Sequence, residues 1–240
     1  MTKKINLIFD LDETLVQMGE SNHNNNGIPL KNNKFLFIRP YCIELLNYCY
    51  KNYRISFWTS GSAKYCKKIL TIILNKKQLK KTKIIICKHE NKFLELKTTK
   101  IYKPIKYYLD DIIVSSYVKS LNLLWNVDEF NKNKKFNIHN TLIIDDNFFL
   151  EKINPMNYIR IAAWCRYMKY DNALERLRIW LSDNKKLLLI LSKKKKKLLL
   201  LNIINNHEFD NEMLLTLGEN VDSILKSSYN CRKNLIINEV

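Results

Sequence analysis

Short, mostly apolar runs alternate along this chain with longer amphipathic stretches. Ile5-Asn6-Leu7-Ile8-Phe9, Ile55-Ser56-Phe57-Trp58, Ile84-Ile85-Ile86-Cys87, Leu142-Ile143-Ile144 and Tyr158-Ile159-Arg160-Ile161 are the runs. Such β-branched and aromatic segments suit strands buried on both faces, which predicts strands over 4–10, 54–59, 84–87, 141–145 and 158–162. The stretches between them predict helices over 41–52, 62–76, 100–112 and 171–183. Strands that alternate with helices build an α/β three-layer sandwich, here a central parallel sheet with the first strand in its middle. The Asn-rich segment from Glu20 to Asn33, with Gly27 and Pro29, reads as a surface loop.

The first of these strands ends on two carboxylates, Asp10 and Asp12. In an extended chain residues i and i+2 point the same way, and parallel strands present ligands at their C-terminal ends, so the pair is placed to share one crevice. Two carboxylates there suit phosphoryl transfer, one attacking phosphorus while the other manages the proton. A plain Asp-rich turn is the structural alternative. Three later segments weigh against it. Arg54 to Gly61 is a strand pattern ending on Thr59, Ser60 and Gly61 before a helix, and hydroxyls with backbone N–H groups at such a turn suit phosphate oxygens. Tyr117-Val118-Lys119-Ser120-Leu121 brings a lysine that can neutralise phosphate and nucleophile. Thr141 to Asn147 is a further strand ending on Asp145 and Asp146, hard oxygen donors suited to a cation.

In this order the four segments resemble the motifs of the haloacid dehalogenase (HAD) superfamily of phosphatases. Within it the chain resembles the RNA polymerase II C-terminal-domain phosphatases and the NLI-interacting-factor-like small phosphatases. That likeness rests on Asp-Leu-Asp-Glu-Thr-Leu at 10–15, Arg39-Pro40 before a helix and Phe-Trp-Thr-Ser at 57–60 with Tyr65 beyond. It continues through Tyr-Val-Lys-Ser-Leu at 117–121, Ile-Ile-Asp-Asp-Asn at 143–147, Asn157 to Ile161, Trp164 and a terminal helix opening near Asp171. It spans roughly residues 4–183. The resemblance implies a HAD-like Rossmannoid fold with a small cap or none, and a magnesium-dependent phosphatase working through an aspartyl-phosphate on Asp10. It further implies Asp12 as acid and base, and Mg2+ held by Asp10, the Asp12 backbone carbonyl, Asp145 and Asp146. Thr59, Ser60 and Lys119 would bind the phosphate, and Thr14 would order the loop. The implied substrate is phosphoserine or phosphothreonine in a phosphorylated protein.

The chain departs from the family in two places. It reads Asp145-Asp146-Asn147-Phe148 where the family commonly has Asp-Asn followed by Ser and Pro, and the added negative charge should alter metal affinity. Residues 84–116 do not match a substrate-recognition insert of polymerase-tail phosphatases. Two alternatives therefore stand beside the leading reading: a phosphatase of nucleic-acid ends, and a catalytically idle interaction module.

Composition adjusts this picture at its edges. A chain of 240 residues, 46% hydrophobic, can bury a full core, and the motifs bracket one domain over 1–183 followed by a basic helical extension over 184–240. In that extension Leu187, Leu188 and Leu191 fit one helix face, and five lysines at 193–197 interrupt the leucine blocks. No apolar run reaches the length of a membrane span, and the first strand begins too early to leave room for a signal peptide, so an intracellular protein is expected. Six cysteines without a Cys-x-x-Cys pair read as reduced thiols, and the four histidines are scattered. Lys and Arg number 41 against 23 Asp and Glu, a net charge of +18 that favours polyanions, nucleic acid included. Lysine, asparagine and isoleucine are also what an A+T-rich genome encodes, so base composition accounts for part of that charge. The pattern sets no oligomeric state.

Overall fold

The computed structural model describes residues 4–20, 26–87, 92–95, 98–101, 107–109, 112–114, 119–126, 131, 135–155, 157–168 and 170–194. Five parallel strands form the centre of its main sheet: β1 (Asn6–Phe9), β5 (Arg54–Trp58), β6 (Ile85–Ile86), β11 (Thr141–Asp145) and β12 (Tyr158–Arg160). β1 lies between β11 and β5, with Phe9 paired to Ile144 on one side and to Phe57 on the other. Two antiparallel strands, β7 (Lys92–Glu95) and β8 (Thr98–Ile101), extend the sheet beyond β6 to give the order β12-β11-β1-β5-β6-β7-β8.

The alternation within β1 explains the layers. Leu7 and Phe9 pack into one cluster with Leu45, Leu46 and Cys49 of α1 (Cys42–Asn52), Cys66, Ile69 and Leu70 of α2 (Ala63–Ile73), and Leu174, Leu177 and Leu181 of α6 (Ala173–Asp183). Ile8 faces the other way, with Ile143 and Tyr158, onto Leu121 and Leu124 of α4 (Leu121–Asn126) and Leu150 of α5 (Phe149–Ile153). Helices thus cover both faces of the sheet, as continuous apolar strands require. The extension opens as α7 (Lys185–Lys194), and its Leu188 is fully buried in the α1/α6 cluster.

Two insertions depart from the alternation read in the sequence. Part of the Asn-rich segment is ordered into an antiparallel sheet of β2 (Val16–Gly19), β4 (Phe35–Ile38) and β3 (Ile28–Pro29) between β1 and α1, while residues 21–25 lie outside the described ones. Where residues of the helix expected over 100–112 are described they are extended: 100–101 end β8, and the rest fall in two antiparallel strands, β9 (Tyr107–Leu109) and β10 (Ile112–Val114). Residues 102–106, 110 and 111 lie outside the described ones. Tyr107, Tyr108, Ile112, Ile113 and Val114 favour extended backbone. The helix expected over 62–76 ends at Ile73, because Asn75 starts a new one, α3 (Lys76–Lys81). Asn75 accepts from the Gln78 N–H while the Gln78 side chain accepts from the Asn75 N–H, both at 2.9 Å.

Candidate active site

The C-terminal ends of β1, β5 and β11 converge on one buried cluster of charge. Asp10 follows β1 directly, and its carboxylate lies 2.6 Å from the Lys119 ammonium. Lys119 also lies 2.5 Å from Asp145, the last residue of β11. One ligand oxygen each from Asp10, Asp145 and Asp146 falls within 4.8 Å of the others. Thr14 donates to Asp146 at 3.2 Å from the turn after β1.

Electrostatics follow from that crowding. Burial raises the Asp10 pKa well above the usual carboxylate range, Lys119 opposes it, and Asp145, Asp146 and Asp12 raise it further. Burial works to lower the Lys119 pKa, but Asp10 and Asp145 overcome it, and the lysine stays charged. One ammonium against three carboxylates leaves an excess of negative charge in a buried place, which a hard divalent cation would offset. The donor set is all oxygen, as Mg2+ requires, so these residues fit the ion.

Asp12 sits half-buried beside this cluster and is held by two hydroxyls. Thr59, just past β5, donates to it at 3.2 Å, and Tyr65 on α2 donates to its other oxygen. Burial raises the Asp12 pKa while the Tyr65 and Thr59 hydrogen bonds pull it down. Burial first, then the Asp12 charge, pushes the Tyr65 phenol up, so it remains a donor. Thr59 also accepts the Gly61 N–H at 3.0 Å. A Cβ on Gly61 would come within 2.4 Å of the Tyr65 ring, so the close approach of this turn to α2 requires glycine. Ser60, between them, is exposed.

The structure therefore brings together Asp10, Asp12, Thr14, Thr59, Lys119, Asp145 and Asp146. Thr59 directs its hydrogen at Asp12, and Ser60 turns to solvent. Several supporting residues were not singled out as site residues by their sequence positions. Arg39, 1% exposed, donates from Nη1 to the carbonyls of Glu13 (3.3 Å), Thr14 (3.1 Å) and Ala162 (2.8 Å), and pairs with the buried Asp171. It thereby fixes the turn after Asp12, where Glu13 takes a positive φ of 59°. Tyr158 donates to the carbonyls of Asp145 (3.0 Å) and Asn147 (2.9 Å). Asn154 donates to the Lys119 carbonyl and accepts from the Leu121 N–H, both at 2.9 Å. The family likeness already ran through Arg39, Tyr158 and Asp171 and was the signal that could have found them, while Asn154 lies in none of its motifs.

A parallel α/β sheet with carboxylates and a lysine converging at its C-terminal edge is the arrangement that the haloacid dehalogenase likeness of the sequence implies. The family model of NLI interacting factor-like phosphatases matches residues 5–186, and the chain belongs to that family. It is similar to a CTD phosphatase-like protein of Invertebrate iridescent virus 6, with 27% identity over 189 residues that cover 72% of this chain and 94% of the relative. Among solved structures it resembles Fcp1, an essential RNA polymerase II CTD phosphatase, at TM-score 0.46 and 15% identity, covering 99% of this chain and 66% of that one. The fission yeast Fcp1-R271A structure bound to beryllium fluoride gives the same score and identity, with 98% and 66% covered. The chain thus spans just under two thirds of the Fcp1 chains it resembles.

Proposed function

We propose that this protein is a magnesium-dependent phosphatase that hydrolyses phosphoserine or phosphothreonine in proteins through an aspartyl-phosphate. The observation that carries the reading is the convergence of Asp10, Asp145 and Asp146 on one point with Lys119 between two of them.

An Asp10 oxygen attacks phosphorus, the ester P–O bond breaks, and the leaving oxygen takes the proton held on Asp12. Asp12, now a carboxylate, accepts a proton from the water whose oxygen attacks the phosphorylated Asp10. The Asp10–phosphorus bond then breaks, releasing inorganic phosphate and restoring both carboxyl groups. Burial favours the protonated form of Asp12 and the Thr59 and Tyr65 hydroxyls favour the ionised one, so the group is suited to both halves of the cycle. Lys119 stabilises charge on the transferring phosphoryl group and on Asp10. Asp10, Asp145, Asp146 and the Asp12 backbone carbonyl would hold Mg2+, which when bound supplies a Lewis acid for the phosphoryl oxygens. Thr14 orients Asp146, and Thr59 reaches a phosphate oxygen only by giving up its bond to Asp12.

Phosphate release from a phosphoserine peptide, beside release from a 5′-phosphorylated oligonucleotide, tests the substrate class. Peptide turnover well above oligonucleotide turnover is expected, and the reverse ranking would replace this reading with the nucleic-acid one.

A further inference from the structure

The N-terminal ends of the parallel strands form the edge of the sheet opposite the carboxylates, and four cation-bearing segments meet there. The Arg54 N–H donates to the Ile5 carbonyl at 2.9 Å, and the Lys83 N–H donates to the Ile55 carbonyl at 2.8 Å. The Asn6 side chain donates to the Lys135 carbonyl at 3.1 Å. These bonds fix Lys135, Lys4, Arg54 and Lys83 in that order beside β11, β1, β5 and β6. With neighbouring strands about 4.8 Å apart, the row is about 15 Å long.

Lys81, Lys83 and Lys135 are exposed, and Lys4 and Arg54 are half-buried. The segments that meet here, 4–6, 51–54, 80–84 and 135–141, contain no Asp or Glu. Asp183 ends α6, whose Leu181 carbonyl accepts the Tyr53 hydroxyl nearby at 2.6 Å. The charges acting on Lys83 are nonetheless cations: burial lowers its pKa first, followed by Arg54, Lys135, Lys4 and Lys81. Like charges held at this spacing repel one another, and a line of negative charge laid along them would remove the repulsion.

We propose that this edge is a nucleic-acid-binding surface that engages the phosphate backbone without regard to sequence. A linear row of cations matches a linear row of phosphates, and the overall charge of +18 draws such a partner in. A membrane surface fits less well. None of the exposed large apolar side chains among the described residues lies in these segments, and interfacial binding relies on such groups. Six residues of extended chain separate Lys4 from Asp10, about 20 Å, so bound nucleic acid leaves the crevice open. The surface would hold the protein on nucleic acid or a nucleoprotein while the crevice acts on a phosphoryl group elsewhere.

The test is fluorescence anisotropy of a labelled oligonucleotide, single-stranded and duplex, titrated with the full-length chain over a range of salt. The double substitution Lys81→Glu/Lys83→Glu is compared with Lys31→Glu/Lys34→Glu, which changes net charge equally on exposed residues around the β3–β4 turn. Circular dichroism verifies that both variants are folded. The first pair is expected to weaken binding by about tenfold or more and to flatten the log–log salt slope by about two, while the second changes it little. Absence of binding to either oligonucleotide would overturn the proposal, and so would equal losses in the two pairs. Equal or tighter binding to phosphatidylserine vesicles or to polyglutamate would also overturn it. Aryl phosphate turnover, run alongside, reports on the crevice separately, since neither pair belongs to it.

Discussion

Arg39 shows how much of the site depends on a residue that does no chemistry. Its guanidinium is buried, pairs with Asp171, and gives hydrogen bonds to three carbonyls, two of them in the turn that carries Asp12. Arg39→Met keeps the bulk but leaves the Asp171 carboxylate buried and unpaired. Breaking such a pair costs about 3–5 kcal/mol, so the urea midpoint should fall markedly, and turnover should fall with it as the turn loosens. An unchanged midpoint would show that the pair is not the structural tie described. The clustering of Asp10, Lys119, Asp145 and Asp146, with Asp12 beside them, was legible because each sits at the end of an apolar run or inside a short motif. Arg39 and Asp171 are separated by 132 positions, and Tyr65 meets Asp12 across 53, so their roles arise only once the sheet is assembled. Thr59 was read as a phosphate ligand from its place at a strand end, and its bond to Asp12 could not be seen from that place alone.

Among the elements, α7 offers the clearest contrast between neighbouring side chains. Leu188 is fully buried in the core shared with α1 and α6, while Leu187 is 38% exposed. Leu188→Ala should cost about 2–5 kcal/mol through lost burial and the cavity left behind, and Leu187→Ala about 0.5 kcal/mol or less, both measured by chemical denaturation. Equal effects would mean that α7 is not docked as described. The strands β1, β5 and β11 were readable because burial on both faces leaves continuous apolar sequence. At 100–112 helical spacing misleads: Ile101, Leu109 and Ile112 share one helical face, yet Tyr107, Tyr108, Ile112, Ile113 and Val114 are aromatic or β-branched and take the extended backbone of β9 and β10. The break between α2 and α3 was missed for a local reason, the Asn75–Gln78 capping box, which ends one helical pattern by starting another.

At the scale of the whole molecule, the sheet keeps two opposed electrostatic ends. Carboxylates gather at the C-terminal edge of the strands and cations at the N-terminal edge, so charge is not spread evenly over the described residues. The basic edge lies away from the crevice, so the charge does not by itself favour a nucleic-acid substrate. Among the described residues no helix is long and apolar enough to cross a membrane. The five described cysteines are all free thiols, as expected: Cys42, Cys49, Cys66 and Cys87 are buried and Cys165 is half-buried, while Cys231 lies outside the described residues. The acidic end should bind magnesium and gain stability from it, by about 2.7 kcal/mol at a hundredfold excess over Kd. A rise in Tm with magnesium that shrinks in Asp145→Asn is the expected result, and an equal rise in both proteins would place the ion elsewhere.

Whether Asp10 is the nucleophile of a metal-dependent phosphatase is read out by hydrolysis of para-nitrophenyl phosphate. Purified protein is assayed with magnesium and with excess chelator, beside Asp10→Asn, whose amide cannot attack phosphorus. Turnover is expected to require magnesium and to fall by about a thousandfold or more in the variant, with the fold intact by circular dichroism. Near-normal turnover by Asp10→Asn, or turnover unaffected by the chelator, would contradict it.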